Sequence, residues 1–418
     1  MVNKEDILKK ASKCSTCITK PCQVGCPLNN DTTEFIRLAK LEEFEKAYEV
    51  LSKTTVLSSV CGRICPHEKQ CQGSCAMKNY YGAVEIGNIE YFIGDEAIKN
   101  GWKLPQSKEK RKEKIAVVGA GPSGLTCAAF LCENGYNVTV YEKYEHLGGL
   151  LYHGIPEFRL DKKTLSKTIE KIINLGVEIK TNCELGVNIQ LPDLEKEYDA
   201  IFFGFGANIS RKMNIDGETL NGVYGGNELL EKNLHPDYKN KKVAVIGGGN
   251  VAMDTARTIK KLGANEVTVI YRRSEKEMPA EVHEIEEAKN EKIKFLFQTN
   301  PVKIIGENKV EKIECVKMEL KQKENETRLS PVEIPNSNFT IDLDYVVMAV
   351  GSKPESNILE KLNLELTDRG HIKIDKNNQT SNPKIFAGGD LAGAKGTVAW
   401  ASRSGRNAAY SIMNFLQK

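Results

Sequence analysis

The chain has 418 residues, 40% hydrophobic and 28% charged, a globular composition too long for one ordinary core, so two or three domains are expected. Fifty-nine basic residues against 56 acidic ones leave a formal net charge of +3, which gives no reason to expect nucleic acid or a membrane surface as partner. No apolar run reaches the roughly 18 residues of a transmembrane helix, and the opening MVNKEDILKK has no apolar stretch for a signal peptide, so a cytoplasmic location is expected.

Eight of the twelve cysteines fall within the first 75 residues, in two groups of four. The first is Cys14-x2-Cys17-x4-Cys22-x3-Cys26-Pro27 and the second Cys61-x3-Cys65-Pro66-x4-Cys71-x3-Cys75. In a reducing compartment disulfides are not expected. Thiolates at this density call for a soft cation, either zinc or iron–sulfur. Two zinc sites would satisfy the ligand count without redox chemistry. Zinc knuckles, however, favour paired Cys-x2-Cys spacings, which the second group lacks. Between the groups, Thr33–Val50 places apolar residues at helical spacing. The charge run Gln106–Lys114 then reads as a solvated linker with no ligand of its own.

Beyond the linker the chain repeats itself. Lys114-Ile-Ala-Val-Val is a short buried strand, followed by Gly119-x-Gly121-Pro122-Ser123-Gly124 and a helix start. The first glycine permits the tight turn, the second lets a pyrophosphate approach the backbone, and the third allows close helix–strand packing. A helix N-terminus there favours an anion. The next strand, Asn137–Tyr141, leads into Glu142, about 20 residues on, where a carboxylate accepts hydrogen bonds from a ribose. The second unit repeats the pattern: strand Lys242–Ile246, then Gly247-x-Gly249-Asn250-Val251-Ala252, then strand Glu266–Ile270. Here the second strand leads to Tyr271-Arg272-Arg273 instead of an acid. A carboxylate would repel the 2′-phosphate of NADP, whereas guanidinium groups bind it. The second site therefore suits NADPH, and the first the adenosine end of FAD or NAD.

The late run Lys384-Ile-Phe-Ala-Gly388-Gly389-Asp390, with Thr397 and Val398 opening a helix-like segment, selects FAD for the first site. In flavoproteins with two dinucleotides a late Gly-Asp holds the ribityl and phosphate end, and the following helix start favours the anionic reduced ring. Two βαβ units imply an α/β protein with two Rossmann-like domains behind a helical head. The expected boundaries are 1–112 for the head, 113–210 plus 335–418 for the FAD domain, and 211–334 for an NADPH domain inserted in it. Tyr345-Val-Val-Met is thus expected to return to the first domain.

Several longer motifs carry a resemblance: Val60-Cys-Gly-Arg-Ile-Cys-Pro66, Ile86-Gly-Asn-Ile-Glu90, Gly148-Gly-Leu-Leu-Tyr-His-Gly-Ile-Pro-Glu-Phe-Arg159, Tyr271-Arg-Arg-Ser-Glu-Lys-Glu-Met-Pro-Ala280 and the Gly-Gly-Asp turn. From Cys14 to the C-terminus the chain resembles the small-subunit family of NADPH-dependent glutamate synthase. Its relatives are the FAD/NADPH half of dihydropyrimidine dehydrogenase and the NADP-binding subunit of ferredoxin:NADP transhydrogenase. The resemblance implies two [4Fe–4S] clusters with interleaved ligands. Cys14, Cys17, Cys22 and Cys75 would hold one. Cys26, Cys65, Cys71 and Glu90 would hold the other, leaving Cys61 without iron. It also implies that Gly149, Leu150 and Arg159 line FAD together with residues 389–398, and that Gly351 lines the nicotinamide cleft. Catalysis would be cofactor-borne, without a general acid, and electrons would pass to a larger partner subunit. Cys127, Cys132, Cys183 and Cys315 form no close redox pair, so disulfide reduction is disfavoured. The six histidines show no metal spacing.

Overall fold

The computed structural model describes residues 3–322 and 329–417. They divide into two compact units, Met1–Ala207 with Pro354–Lys418, and Asn208–Lys353.

The first unit opens with six helices: α1 (Lys4–Ser12), α2 (Pro21–Gly25), α3 (Thr32–Lys40), α4 (Phe44–Ser52), α5 (Ser58–Ile64) and α6 (Ile86–Lys99). Asn3 and Asp31 cap α1 and α3 by accepting from the backbone N–H groups of Asp6 (2.8 Å) and Glu34 (3.2 Å). The helical pattern over Thr33–Val50 is two helices, because Glu42 takes a left-handed φ of 61° and breaks the run. Phe35, Leu51, Leu57, Val60, Ile89 and Ile93 close a core that continues without a gap into the first dinucleotide fold. The charged linker keeps most side chains in water, yet its backbone is pinned. Ser107 N donates to Glu133 O and Arg111 N to Gly135 O, both at 2.8 Å.

Next come β1 (Lys114–Val118), α7 (Pro122–Glu133), β2 (Asn137–Tyr141), α8 (Lys162–Ile173), β3 (Glu178–Lys180) and β4 (Ala200–Phe203). In β1 every residue after Lys114 is buried, as in a parallel strand covered on both faces.

The second unit is a Rossmann-like fold of its own. Its strands are β5 (Val223–Gly225), β6 (Lys242–Ile246), β7 (Glu266–Ile270) and β8 (Lys294–Leu296), with helices α9 (Asn250–Lys261) and α10 (Val282–Asn290). An antiparallel sheet follows, of β9 (Thr299–Ile305), β10 (Lys312–Lys321), β11 (Ser330–Glu333) and β12 (Phe339–Asp342), in which β10 pairs with the other three. The strand β13 (Tyr345–Met348) then lies parallel between β5 and β6, in the order β5-β13-β6-β7-β8. This corrects the expected boundary. Residues 335–353 complete the second sheet and not the first, because Val346 and Val347 bury against Ala244 and Val245. Arg257 of α9, itself buried, is held by Glu284 and Glu291 across the helix pair.

On its return the chain adds β14 (Ile385–Ala387) beside β4, giving the parallel order β14-β4-β1-β2-β3, and ends in α11 (Val398–Leu416). This last helix lies along α7, and Gly405 meets the backbone of Ser123 so closely that a Cβ would strike its carbonyl oxygen. Gly405→Ala is expected to force the helices apart and cost about 1–3 kcal/mol. Asn407→Ala, on the exposed face of α11, should stay within about 0.5 kcal/mol. Urea unfolding midpoints check both.

Candidate functional site

In the head, short elements carry the cysteines to two neighbouring points. Cys22 sits on α2 and Cys26 ends it; Cys65 ends α5, and Cys75 begins the 3-10 turn Ala76–Asn79. The two stretches meet where Gly25 packs on Ser74 and Ser15 Oγ reaches Met77 Sδ at 3.2 Å. Ser15 Oγ also meets Cys17 Sγ at 3.2 Å.

The electrostatics link the thiols chiefly within two groups, with Cys22 acting on Cys71 across them. Burial raises the Cys22 thiol above its ordinary value, and Cys14 and Cys75 add to the rise. Burial pushes Cys26 up to about 12, with Glu90 the next cause of the rise. A hydrogen bond with Cys61, then burial, holds Cys65 high, and Glu90 and Cys71 act on it too. Cys71 is raised by burial, then by Glu90 and Cys26. Glu90, 5% exposed on α6, is itself pushed to about 8 by burial. Its Oε1 accepts from Asn30 Nδ2 (3.2 Å), and Asn30 Oδ1 accepts from Thr54 Oγ1 (2.7 Å).

Cys14 and Cys75 thus act on Cys22, while Glu90 acts on Cys26, Cys65 and Cys71 alike. Cys61 is buried in α5 beside Cys65. Among the described residues no three His, Cys, Asp or Glu side chains converge tightly enough for a single metal ion. Soft thiols spread over two adjoining groups fit a multinuclear sulfide cluster, whose corners are farther apart than the ligands of one ion. Buried thiols of this kind ionise only when a cation displaces their protons. His67 packs its ring on Gly87, with Nε2 buried and unpartnered, and burial lowers it to about 4.

At the first glycine turn, Gly119 has φ 101°, Gly121 caps α7, and Pro122 occupies the first turn of that helix. Gly124 stands so close to Gly119 that any side chain would strike its carbonyl, which is the packing reason for the third glycine. Glu142 folds back on this turn. Its Oε2 accepts from Ala120 N (2.8 Å) and its Oε1 from Tyr144 N (3.1 Å), and burial nevertheless raises it. A second glycine turn, Gly148–Gly149, leans on the first: Gly148 N donates to Ala120 O (2.9 Å), and a Cβ on Gly149 would lie 3.0 Å from Gly121 Cα. Gly149 caps a short helix that starts at Leu150, and Arg159 lies half-buried in the turn beyond it.

The late turn arrives from the other side. A Cβ on Gly389, φ 66°, would lie 3.0 Å from Ser123 Cβ. Asp390 Oδ1 and Ser123 Oγ are closed off from solvent without a partner, and burial pushes the Asp390 carboxyl up to about 6. Thr397 caps α11, accepting from Trp400 N (3.4 Å), with Val398 first in the helix. Orphaned polar atoms where three glycine-rich turns converge fit a dinucleotide with a polar linker, such as FAD.

The second glycine turn has the same build. Gly247 has φ 141° and packs on the Ala349 carbonyl, Gly249 caps α9, and Asn250, Val251 and Ala252 open that helix. Asn250 Oδ1 accepts from Glu281 N (3.0 Å), Ala280 N donates to Gly248 O (3.1 Å), and the Tyr271 ring covers Gly248. These ties fold the loop after β7 back onto the glycine turn. Arg272 is exposed on that loop, whereas Arg273 Nε is buried with no partner. A buried guanidinium N–H without an acceptor fits a phosphate group. Gly351, φ 122°, accepts from Arg211 N (2.8 Å) just beyond the Ala349 contact.

Cys127 and Cys132 lie buried in α7, Cys315 lies buried in β10 and Cys183 is half-buried; all are free thiols. Sequence reading missed Asn30, Ser404, Arg403 and Arg406, whose partners are remote in the chain. The arginine pair at i and i+3 on the last helix is the one local sign they leave.

Residues 113–408 match the family described as pyridine nucleotide-disulphide oxidoreductase, and residues 1–102 match dihydropyrimidine dehydrogenase domain II, 4Fe-4S cluster. The chain is 36% identical to the glutamate synthase [NADPH] small chain of Escherichia coli (strain K12), over 98% of its own length and 91% of that protein. It is 35% identical to the glutamate synthase [NADPH] small chain of Halomonas elongata, over 99% and 91%. The structure of FprA from Mycobacterium tuberculosis in complex with NADPH superposes with a TM-score of 0.66 at 21% identity, covering 73% of this chain and 85% of that one. The likeness to FprA speaks for the fold alone. The near full-length relatives carry more, and the chain belongs to the pyridine nucleotide-disulphide oxidoreductases, within the family of the glutamate synthase small chains.

Proposed function

We propose that this chain is the electron-entry subunit of a glutamate synthase, oxidising NADPH and delivering electrons to a larger partner. The observation that carries the reading is the joining, in one chain, of a head with eight cysteines to two glycine turns of opposite charge character, with relatives matching almost throughout. Bound FAD supplies the change from two-electron hydride chemistry to one-electron transfer, and iron–sulfur clusters carry the single electrons.

The protein's own part is to bind and orient. Arg272 and Arg273 take the 2′-phosphate, and the N-terminus of α9 takes the pyrophosphate. Gly119, Gly121 and Gly149 leave the first site open to a second pyrophosphate, with Glu142 held by Ala120 N to meet a ribose. Asp390 and Ser123 offer their unpartnered oxygens to the linker of FAD. Leu150, Arg159, Thr397 and Val398 line the same site in this reading, and Gly351 the nicotinamide side of the second. No side chain is required as a general acid. In the head Cys14, Cys17, Cys22 and Cys75 hold one cluster and Cys26, Cys65, Cys71 and Glu90 the other. Among the described residues no helix is long and apolar enough to cross a membrane. The partner is read as the subunit where ammonia from glutamine is combined with 2-oxoglutarate.

Anaerobically purified protein is expected to be brown, with one flavin and about eight irons per chain, and to reduce an artificial dye with NADPH. Zinc in place of iron and sulfide would end the reading. Pull-down of the tagged chain from its host should bring a large amidotransferase subunit; a different redox subunit would redirect the assignment. Arg272→Ala with Arg273→Ala should raise the KM for NADPH by roughly 10- to 100-fold, the loss of one or two charge-assisted contacts. The KM for NADH should stay nearly unchanged in steady-state kinetics. Glu90→Ala should cut iron to about half and abolish one of two paramagnetic signals, whereas an unchanged iron count removes Glu90 from the ligand set.

A further inference from the structure

The closing helix α11 binds in two directions within four residues. Ser404 and Gly405 serve the flavin side. Ser404 Oγ accepts from Gly389 N (3.1 Å) in the Gly-Gly-Asp turn, and Gly405 rests on the Ser123 backbone at the first glycine turn. Arg403 and Arg406, one turn apart, reach into the head. Arg403 Nη1 donates to Pro27 O (3.1 Å), and Arg406 Nη1 donates to Leu28 O (2.9 Å) and to Thr54 O (2.8 Å). Pro27 and Leu28 directly follow Cys26. Thr54 is the residue whose hydroxyl anchors Asn30, and Asn30 in turn holds the Glu90 carboxylate. The carbonyls that receive Arg406 are neutral, and Tyr410, then Arg403 and the Cys26 thiol lie within electrostatic reach of it. Cys26, Glu90 and the Gly-Gly-Asp turn are therefore all registered to one stretch of α11.

We infer that Arg403 and Arg406 are positioning residues for electron transfer: they clamp the Cys26 loop, and through Thr54 and Asn30 the Glu90 carboxylate, to the helix that seats the flavin turn, and Arg406 supplies positive charge beside that cluster. The inference rests on the reading of the head given above, in which Cys26, Cys65, Cys71 and Glu90 hold one cluster. The step served moves one electron from reduced flavin to the cluster with no bond made or broken, so the cluster becomes more negative and a fixed cation favours its reduced state. A short, rigid connection through hydrogen-bonded backbone also holds the two centres at a constant separation.

The test uses the full-length chain, purified anaerobically, as wild type, Arg406→Gln, Arg406→Lys and Arg403→Gln. Iron and flavin content, redox titration followed by electron paramagnetic resonance, and the rate of cluster reduction by NADPH are measured. Arg406→Gln should shift one cluster to lower potential and leave the other in place, and Arg406→Lys should bring it back. Arg403→Gln should slow cluster reduction by NADPH with both iron and flavin retained. Loss of iron from Arg406→Gln that Arg406→Lys restores supports the same role for the charge. Unchanged potentials in Arg406→Gln, a shift common to both clusters, or equal loss of iron from the Gln and Lys variants would overturn the proposal. A wild-type iron count short of two clusters would overturn the reading of the head, and this inference with it, whatever the variants do.

Discussion

Burial of the head's thiols is the interaction on which the rest of the molecule depends. Each of Cys26, Cys65 and Cys71 is pushed well above the ordinary thiol range, and Glu90 among them rises to about 8. Such a cluster of groups is comfortable only while protonated or when facing a cation, since an uncompensated buried anion is costly. The core of the head is continuous with that of the first dinucleotide fold. Redox centre and flavin site share one packed interior, and the thermodynamics of loading either is coupled to the stability of both.

The two nucleotide turns show how one backbone device takes opposite electrostatics. Both place a buried parallel strand, a glycine with φ beyond 100° and a helix capped by glycine in the same order. What differs lies after the second strand. Glu142 is drawn inward by Ala120 N and Tyr144 N, which aligns a carboxylate beside the turn. The loop carrying Arg272 and Arg273 is instead folded over by Asn250, Ala280 and Tyr271, and it leaves Arg273 Nε buried without an acceptor. A buried donor of this kind suits an anionic acceptor.

The glycine turns were legible in the sequence because all their constraints are local: the tight turn, the close approach and the capped helix fall within a dozen residues. The grouping of Cys26, Cys65 and Cys71 about Glu90 was implied by resemblance and could not be derived from spacing, since four separate short elements bring it about. Tyr345–Met348 was misassigned for a physical reason. A short, fully apolar strand reads alike in either sheet, and only non-local pairing with Val223–Gly225 and Lys242–Ile246 decides its place. The break at Glu42 escaped because a left-handed residue other than glycine or asparagine leaves no mark in the apolar period. Asn30, buried and polar, was invisible because its partners at Thr54 and Glu90 are distant in sequence.

The last helix joins the head to the first dinucleotide fold. An amphipathic helix needs one apolar face, and α11 has one in Ala401, Ala408, Ala409 and Ile412. Small residues there let it approach α7 closely, and at Gly405 the approach is closer than any side chain permits. Close approach fixes the angle of α11, and that angle decides where residues one turn away can reach. Arg403 and Arg406 meet backbone carbonyls of the head from the same stretch of helix that Gly405 seats on Ser123. The flavin turn, the glycine fingerprint and the cysteine loop all meet this helix, the first through Ser404, the second through Gly405 and the third through Arg403 and Arg406. A site assembled this way is sensitive to substitution at the few points where backbone meets backbone.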